Sequence, residues 1–331
     1  MTPQAPPMPR NAEGRPRRVG VEIEFAGLPP RDTARLVCEL FGGEVEVLSP
    51  HRLRVKGARW GDFGIELDTQ YAHPDERLID HEAYWDSEWE RMRQDFHNRT
   101  RELIGDVVTG LVPTEIVCPP VPWEELGELD ALVRALREHG GKGTDASLLY
   151  GFGLHLNPEV PDLAAESILA HLRAYLLTAP WLRDQIQVDI TREVLPHANP
   201  FPRAYVLKVL DPAYAPDVET LIDDYLEYNP TRNRELDLLP LFAYLHPRHP
   251  HELLANRLVH PRPTYHYRLP NAQLSDPDWD ATQEWNRWLE VERLAAAPRT
   301  LAERSADYLA EHRAGWLKRC WRALRRRVAR P

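Results

Sequence analysis

Arg18-Val19-Gly20-Val21-Glu22-Ile23-Glu24-Phe25 alternates apolar and polar side chains over eight residues. A β-strand turns successive side chains to opposite faces, so Glu22 and Glu24 share one face while Val21, Ile23 and Phe25 bury the other. Two rises of about 3.3 Å put the carboxylates about 7 Å apart. At an effective dielectric near 20 they repel by about 2 kcal/mol. An apolar strand gains nothing from that repulsion. A pair of hard divalent cations such as Mg²⁺ or Mn²⁺ removes it, because these ions prefer oxygen ligands.

The same device recurs along the chain. Gly64-Ile65-Glu66-Leu67-Asp68 puts two acids on one strand face, and Thr114-Glu115-Ile116-Val117 puts one acid on a short strand before Pro119-Pro120. Gly153-Leu154-His155-Leu156-Asn157 pairs a histidine with an asparagine, and Tyr265-His266-Tyr267-Arg268 a histidine with an arginine. A solvated sheet face normally mixes Lys, Thr and Ser with its acids. Acids, His, Asn and Arg together are the vocabulary of metal and phosphate chemistry.

Strands are predicted over 18–26, 44–48, 52–56, 62–68, 113–118, 151–157, 204–209 and 264–269. Helices are predicted over 31–41, 82–105, 123–139, 161–178, 216–228, 235–246, 278–295 and 299–327. Alternation in most of the strands suits an antiparallel sheet with one functional or solvated face. Regular βαβ spacing is absent, so the class is α+β rather than a doubly wound sheet. The expected organisation is a disordered, Pro- and Arg-rich leader over 1–17, a catalytic domain over 18–275 and a C-terminal helical appendage with a basic tail over 276–331.

A chain of 331 residues with 43% hydrophobic and 28% charged residues has an ample core and ordinary soluble composition. No apolar run approaches 18 residues, so no transmembrane helix is expected. The start of the chain lacks the apolar segment of a secretory signal. Cys38, Cys118 and Cys320 have neither zinc nor disulfide spacing, which makes a reducing cytoplasm the default location. Net charge is −10; the tail from Arg313 carries eight Lys or Arg and no acid, leaving −18 on the remainder. That acidic body argues against a nucleic-acid partner.

The ordered set Arg18 to Phe25, Glu115-Ile116-Val117-Cys118-Pro119-Pro120, Gly153 to Asn157 and Tyr267-Arg268-Leu269-Pro270 resembles the amidoligase family, over about residues 17–275. That family is related to glutamine synthetase and γ-glutamylcysteine synthetase, the carboxylate–amine ligases. The resemblance implies a curved antiparallel sheet of the glutamine synthetase-like catalytic fold, with helices on its convex face and metals and ATP on its concave face. It implies ATP-dependent joining of a carboxylate to an amine through an acyl phosphate. Carried over by position, it suggests Glu22, Glu24, Glu66, Glu115 and His155 as metal ligands, with Asp68 behind them. Asn157 falls on the nucleotide side of the same face, and Arg268 suits a phosphate or a substrate carboxylate. One position departs: related γ-glutamylcysteine synthetases tend to carry Glu-x-Arg where this chain has His266-Tyr267-Arg268.

Two basic stretches add candidates for phosphate. Pro202-Arg203-Ala204-Tyr205-Val206-Leu207-Lys208 reads as a strand with basic ends. Tyr228-Asn229-Pro230-Thr231-Arg232-Asn233-Arg234-Glu235 reads as a turn in which Thr231 or Asn233 caps a following helix, and a helix N-terminus beside arginine binds anions. Lys208, Arg232 and Asn233 are the expected functional residues of these stretches, with Arg203 behind them.

Other signals carry less. Gly140-Gly141-Lys142-Gly143-Thr144 has Leu136 where a P-loop needs its first glycine, and Gly143 where it needs Ser or Thr, so it reads as a flexible loop before the next strand. His246, His249 and His251 fit no metal spacing and read as a surface loop. Trp85 and Trp89 lie one turn apart on a core-facing helix side. Trp316 to Leu324 is a basic amphipathic helix best packed on the acidic body.

The function expected is an ATP- and Mg²⁺- or Mn²⁺-dependent carboxylate–amine ligase. The alternatives are a metal-dependent hydrolase of phosphate esters or amides, and a non-catalytic scaffold on the ligase fold. Small amines, peptides, a protein amino group, or ammonia from a glutaminase partner remain open as acceptors.

Overall fold

The computed structural model describes residues 1–67, 113–144, 152–186 and 198–312. Asp68, the expected helix over 82–105 with Trp85 and Trp89, and the basic tail from Arg313 lie outside them. Among the described residues nine strands form one open antiparallel sheet. They are β1 (Arg18–Phe25), β2 (Glu44–Ser49), β3 (Arg52–Ala58), β4 (Gly61–Leu67), β5 (Thr114–Val117), β6 (Val121–Pro122), β7 (Leu154–Pro158), β8 (Leu236–Asp237) and β9 (His266–Tyr267). The order across the sheet is β2-β3-β4-β5-β1-β7-β9-β8, with β6 pairing the start of β1. β1 is therefore central, flanked by β5 on one side and β7 on the other.

The two faces of β1 divide as its alternation requires. Val19, Val21, Ile23 and Phe25 are wholly buried, as are Val55, Phe63, Ile65, Ile116, Leu154, Leu156 and Tyr267 on neighbouring strands. The described helices are α1 (Pro30–Phe41), α2 (Asp130–Glu138), α3 (Ala165–Ile186), α4 (Arg203–Val209), α5 (Val218–Tyr228), α6 (Leu239–Leu245), α7 (Ala281–Ala295) and a further helix, α8, over 298–312. α1 lies against β2, β3 and β4, while α3 and α7 pack against each other. Beneath β9, the rings of His171 and Tyr175 on α3 and Trp288 on α7 meet Tyr265 and Tyr267 at centroid distances of 5.1–6.0 Å.

Several expectations need correction. Residues 203–209 form a helix, not a strand: Tyr205, Val206 and Val209 are its buried side, packed among Phe201, Tyr225 and Tyr228. Seven residues of mixed character fit either period, and the aromatic neighbours select the helical one. No helix starts at Glu235; Leu236 and Asp237 are a short strand, and α6 begins at Leu239. Thr231 and Asn233 therefore cap nothing, and the Thr231 hydroxyl instead accepts from the Asn233 N–H. The expected strand over 264–269 is reduced to His266–Tyr267.

The N-terminal stretch expected as a disordered leader takes a defined path along α7. Trp285 Nε1 donates to the Gln4 carbonyl at 3.0 Å, and the Gln4 N–H donates to Asn286 Oδ1 at 2.9 Å. Arg17 forms a buried two-pronged pair with Glu292, at 2.7 and 2.8 Å. The loop after α2 is pinned as well. Lys142 bridges Ala26, the Thr144 N–H donates to the Ala272 carbonyl, and a Cβ on Gly143 would fall 1.8 Å from that carbonyl oxygen. Glycine is required there for close backbone approach, not for a phosphate loop. No described helix is long and apolar enough to cross a membrane.

Candidate functional site

Strand register assembles the polar face. Glu24 on β1 sits opposite Glu115 on β5, which sits opposite Glu66 on β4. Glu22 sits opposite His155 on β7. Leu156 pairs with Tyr267 and Asp237 with His266, which brings the far strands of the sheet into the same array. Residues far apart in sequence thus meet because alternate positions on adjacent antiparallel strands share a face.

Glu22 is the hub. Its Oε1 accepts from Asn157 Nδ2 at 3.0 Å and lies 3.4 Å from Arg262 Nη2. Its Oε2 lies 3.1 Å from His155 Nδ1 and 3.7 Å from His266 Nε2. Burial pushes the Glu22 carboxyl up, but the hydrogen bond with His155 and the close approach of both imidazoles prevail and hold it well below the usual carboxylate range. Burial lowers the pKa of His155, against the raising effect of Glu22 and Glu24, and so favours the neutral imidazole that a metal needs. Glu24 accepts from the Gly153 N–H at 2.9 Å, and its other oxygen lies 3.9 Å from His155 Nε2.

Among the described residues two groups could hold a metal ion: Glu22 with His155 and His266, and Glu24 with Glu115 and His155, each with ligand atoms within 4.8 Å of one another. Glu66 belongs to neither. It stands one strand further out, half exposed, and pairs with Arg52 at 3.1 Å.

Arginines face this array. Asn157 Oδ1 accepts from Arg262 Nη2 at 2.7 Å, so Asn157 ties Arg262 to Glu22. Arg268 Nη1 donates to the Arg232 carbonyl at 3.1 Å. Burial lowers the pKa of Arg232, and repulsion from Arg268 and Arg262 adds to it while Asp237 and Glu22 oppose it. The buried Nε of Arg232 and that of Arg262 have no hydrogen-bond partner among the described residues. Three guanidiniums gathered beside carboxylates have the charge and donor geometry to suit an anion rich in oxygen.

The other expected site residues are engaged elsewhere. Lys208 pairs with Asp224 at 2.5 Å and lies over the rings of Tyr214 and Tyr228. Arg203 Nη2 donates to the His312 carbonyl. Asn233 contributes its backbone, its carbonyl accepting from the Asn199 N–H. Arg262 and Asp237 were missed in the sequence. Arg262 sits between Pro261 and Pro263, where no periodicity aims a side chain; Asp237 follows Glu235 at strand spacing and was legible only as part of an expected helix.

The chain belongs to the amidoligase family, whose description is "Putative amidoligase enzyme" and whose sequence profile matches residues 15–290. That span takes in all of the sheet and most of α7, and membership supports a ligase activity. Comparison with curated proteins and with solved structures gives no match.

Proposed function

We propose that this protein is an ATP-dependent carboxylate–amine ligase with divalent metals, built on the glutamine synthetase-like catalytic fold. One observation carries the reading: the acid and imidazole groups of β1, β5, β7 and β9 share a sheet face, and Arg232, Arg262 and Arg268 lie close to it. A carboxylate is a poor electrophile. Its oxygen attacks the γ-phosphorus, the bond to ADP breaks, and the product is an acyl phosphate. The amine nitrogen then attacks the acyl carbon, phosphate leaves with the C–O bond, and the nitrogen gives up a proton to solvent. Both steps crowd negative charge around phosphorus.

Bound divalent ions would supply neutralisation of the phosphate oxygens. Glu22, Glu24, Glu115 and His155 are the residues to hold them, and the buried imidazole and carboxylates fit that task. Arg232, Arg262 and Arg268 bind the phosphoryl or substrate carboxylate from the other side, and Asn157 fixes Arg262 against Glu22. The acceptor is a small amine, a peptide or protein amino group, or ammonia.

The test is ADP and phosphate release from ATP and Mg²⁺ that requires both a carboxylate and an amine from pooled candidates. Glu22→Gln should lower turnover by about 100-fold or more, the scale of a lost electrostatic group. No turnover with any pool, together with unchanged nucleotide binding in Glu22→Gln, would overturn the reading. Phosphate release from a simple ester without nucleotide would point to a hydrolase instead.

A further inference from the structure

The two ligand groups differ in chemistry. The first offers one carboxylate and two imidazoles (Glu22, His155, His266), the second two carboxylates and one imidazole (Glu24, Glu115, His155). His155 belongs to both, with Nδ1 turned to Glu22 and Nε2 to Glu24. A neutral imidazole has a lone pair on one ring nitrogen only, so it ligates on one side and donates a hydrogen bond on the other. His266 belongs to the first group alone. Its ring stands nearly perpendicular to that of His155, at 78° and 5.3 Å between centroids.

His266 is only 5% exposed, yet neither ring nitrogen has a hydrogen-bond partner among the described residues. Nε2 faces Glu22 at 3.7 Å, and Nδ1 faces Asp237 Oδ2 at 3.5 Å. Asp237 is wholly buried; its Oδ1 accepts from the Leu239 N–H at 2.9 Å, which leaves Oδ2 for His266. Buried polar atoms left unpaired are costly and call for an explanation. A carboxylate behind an imidazole whose far nitrogen points at other ligands is the arrangement that orients metal-binding histidines. Imidazole suits Zn²⁺ and its transition-metal neighbours, whereas Mg²⁺ prefers oxygen ligands in an octahedron.

We infer that Glu22, His155 and His266 form a site for a borderline transition-metal ion of the Zn²⁺ or Co²⁺ class, with Asp237 as its positioning residue. The oxygen-rich Glu24–Glu115 group is left to Mg²⁺ or Mn²⁺. The inference rests on reading this sheet face as a metal site, but it concerns which metal, and the ligase reading does not require it.

The experiment is titration of the metal-free full-length chain without nucleotide, by calorimetry with Zn²⁺ and Mg²⁺ and by visible absorption with Co²⁺. Zn²⁺ should bind about 100-fold or more tighter than Mg²⁺, and Co²⁺ should give a ligand-field band reporting nitrogen ligation. His266→Gln should weaken Zn²⁺ by about 100-fold and remove the band. Asp237→Asn should keep the band and weaken Zn²⁺ by about 10–100-fold. His249→Gln, at a histidine outside both ligand groups that pairs with Asp223, should leave Zn²⁺ affinity and the band unchanged. Mg²⁺ binding within tenfold of Zn²⁺, or Zn²⁺ affinity unmoved by both His266→Gln and Asp237→Asn in folded protein, overturns the assignment. Because nucleotide is absent, either result leaves the test of ATP turnover independent.

Discussion

Asp130 shows how one buried side chain couples the fold to pH. It opens α2, and its two oxygens accept from the Thr282 N–H and hydroxyl at the start of α7, at 3.2 and 2.6 Å. Burial raises its pKa from 3.8 to about 6, only partly opposed by Thr282. Between these values the folded chain binds more protons than the unfolded one, so stability from this group is present below about pH 4 and is lost as pH rises through 6. The loss is on the order of 3 kcal/mol. Asp130→Asn should remove it: the difference in urea midpoint between variant and wild type should shift in the variant's favour from pH 4.5 to pH 7. An unchanged difference would mean that Asp130 titrates normally. In the site, Glu22 and Glu24 were visible from two-residue alternation alone. Arg262 was not, because a loop residue's direction is set by the backbone around it.

At the scale of elements, α7 is tied to the sheet through charge as well as through its tryptophans. Arg17, just before β1, is 1% exposed and Glu292 2%. Glu292 also accepts from Trp288 Nε1 at 2.8 Å. Burial raises the Glu292 carboxyl, and Arg17 more than reverses that and holds it low. Removing one partner of a buried pair strands the other charge, so Glu292→Gln should cost about 3–5 kcal/mol. Arg17→Met combined with Glu292→Met should cost much less than the sum of the single changes, which a double-mutant cycle in urea would measure. Strands β1 to β5 and β7 were legible because their alternation runs for four or more residues. α4 and β8 were not: segments of seven and two residues carry too few positions to fix a period, and burial against the aromatic cluster and β9 decides them.

At the scale of the whole molecule, the first residues act as a strap. Besides the bonds of Gln4 to α7, Pro3 packs over Gly127 in the turn before α2, and the Asn11 side chain donates to Glu159 beyond β7. Deleting residues 1–9, with Arg17 retained, should strip the buried Trp285 Nε1 of its acceptor and lower the melting temperature by several degrees, since each such bond is worth about 1 kcal/mol. An unchanged melting temperature would show that the strap contributes nothing to stability. Composition suggested disorder here because proline and arginine supply little apolar surface to bury; the partner surface on α7 is nearly 300 residues away in sequence. The sequence alone determined the α+β class, the two faces of β1 and the residue types on the polar face, because period-2 alternation is a local property of the chain. Only the tertiary structure decided that Glu24 meets Glu115, that Glu66 stands apart, that Lys208 belongs to Asp224, and that His266 backed by Asp237 joins Glu22 and His155. Those outcomes depend on strand order and register, which are fixed by long-range packing.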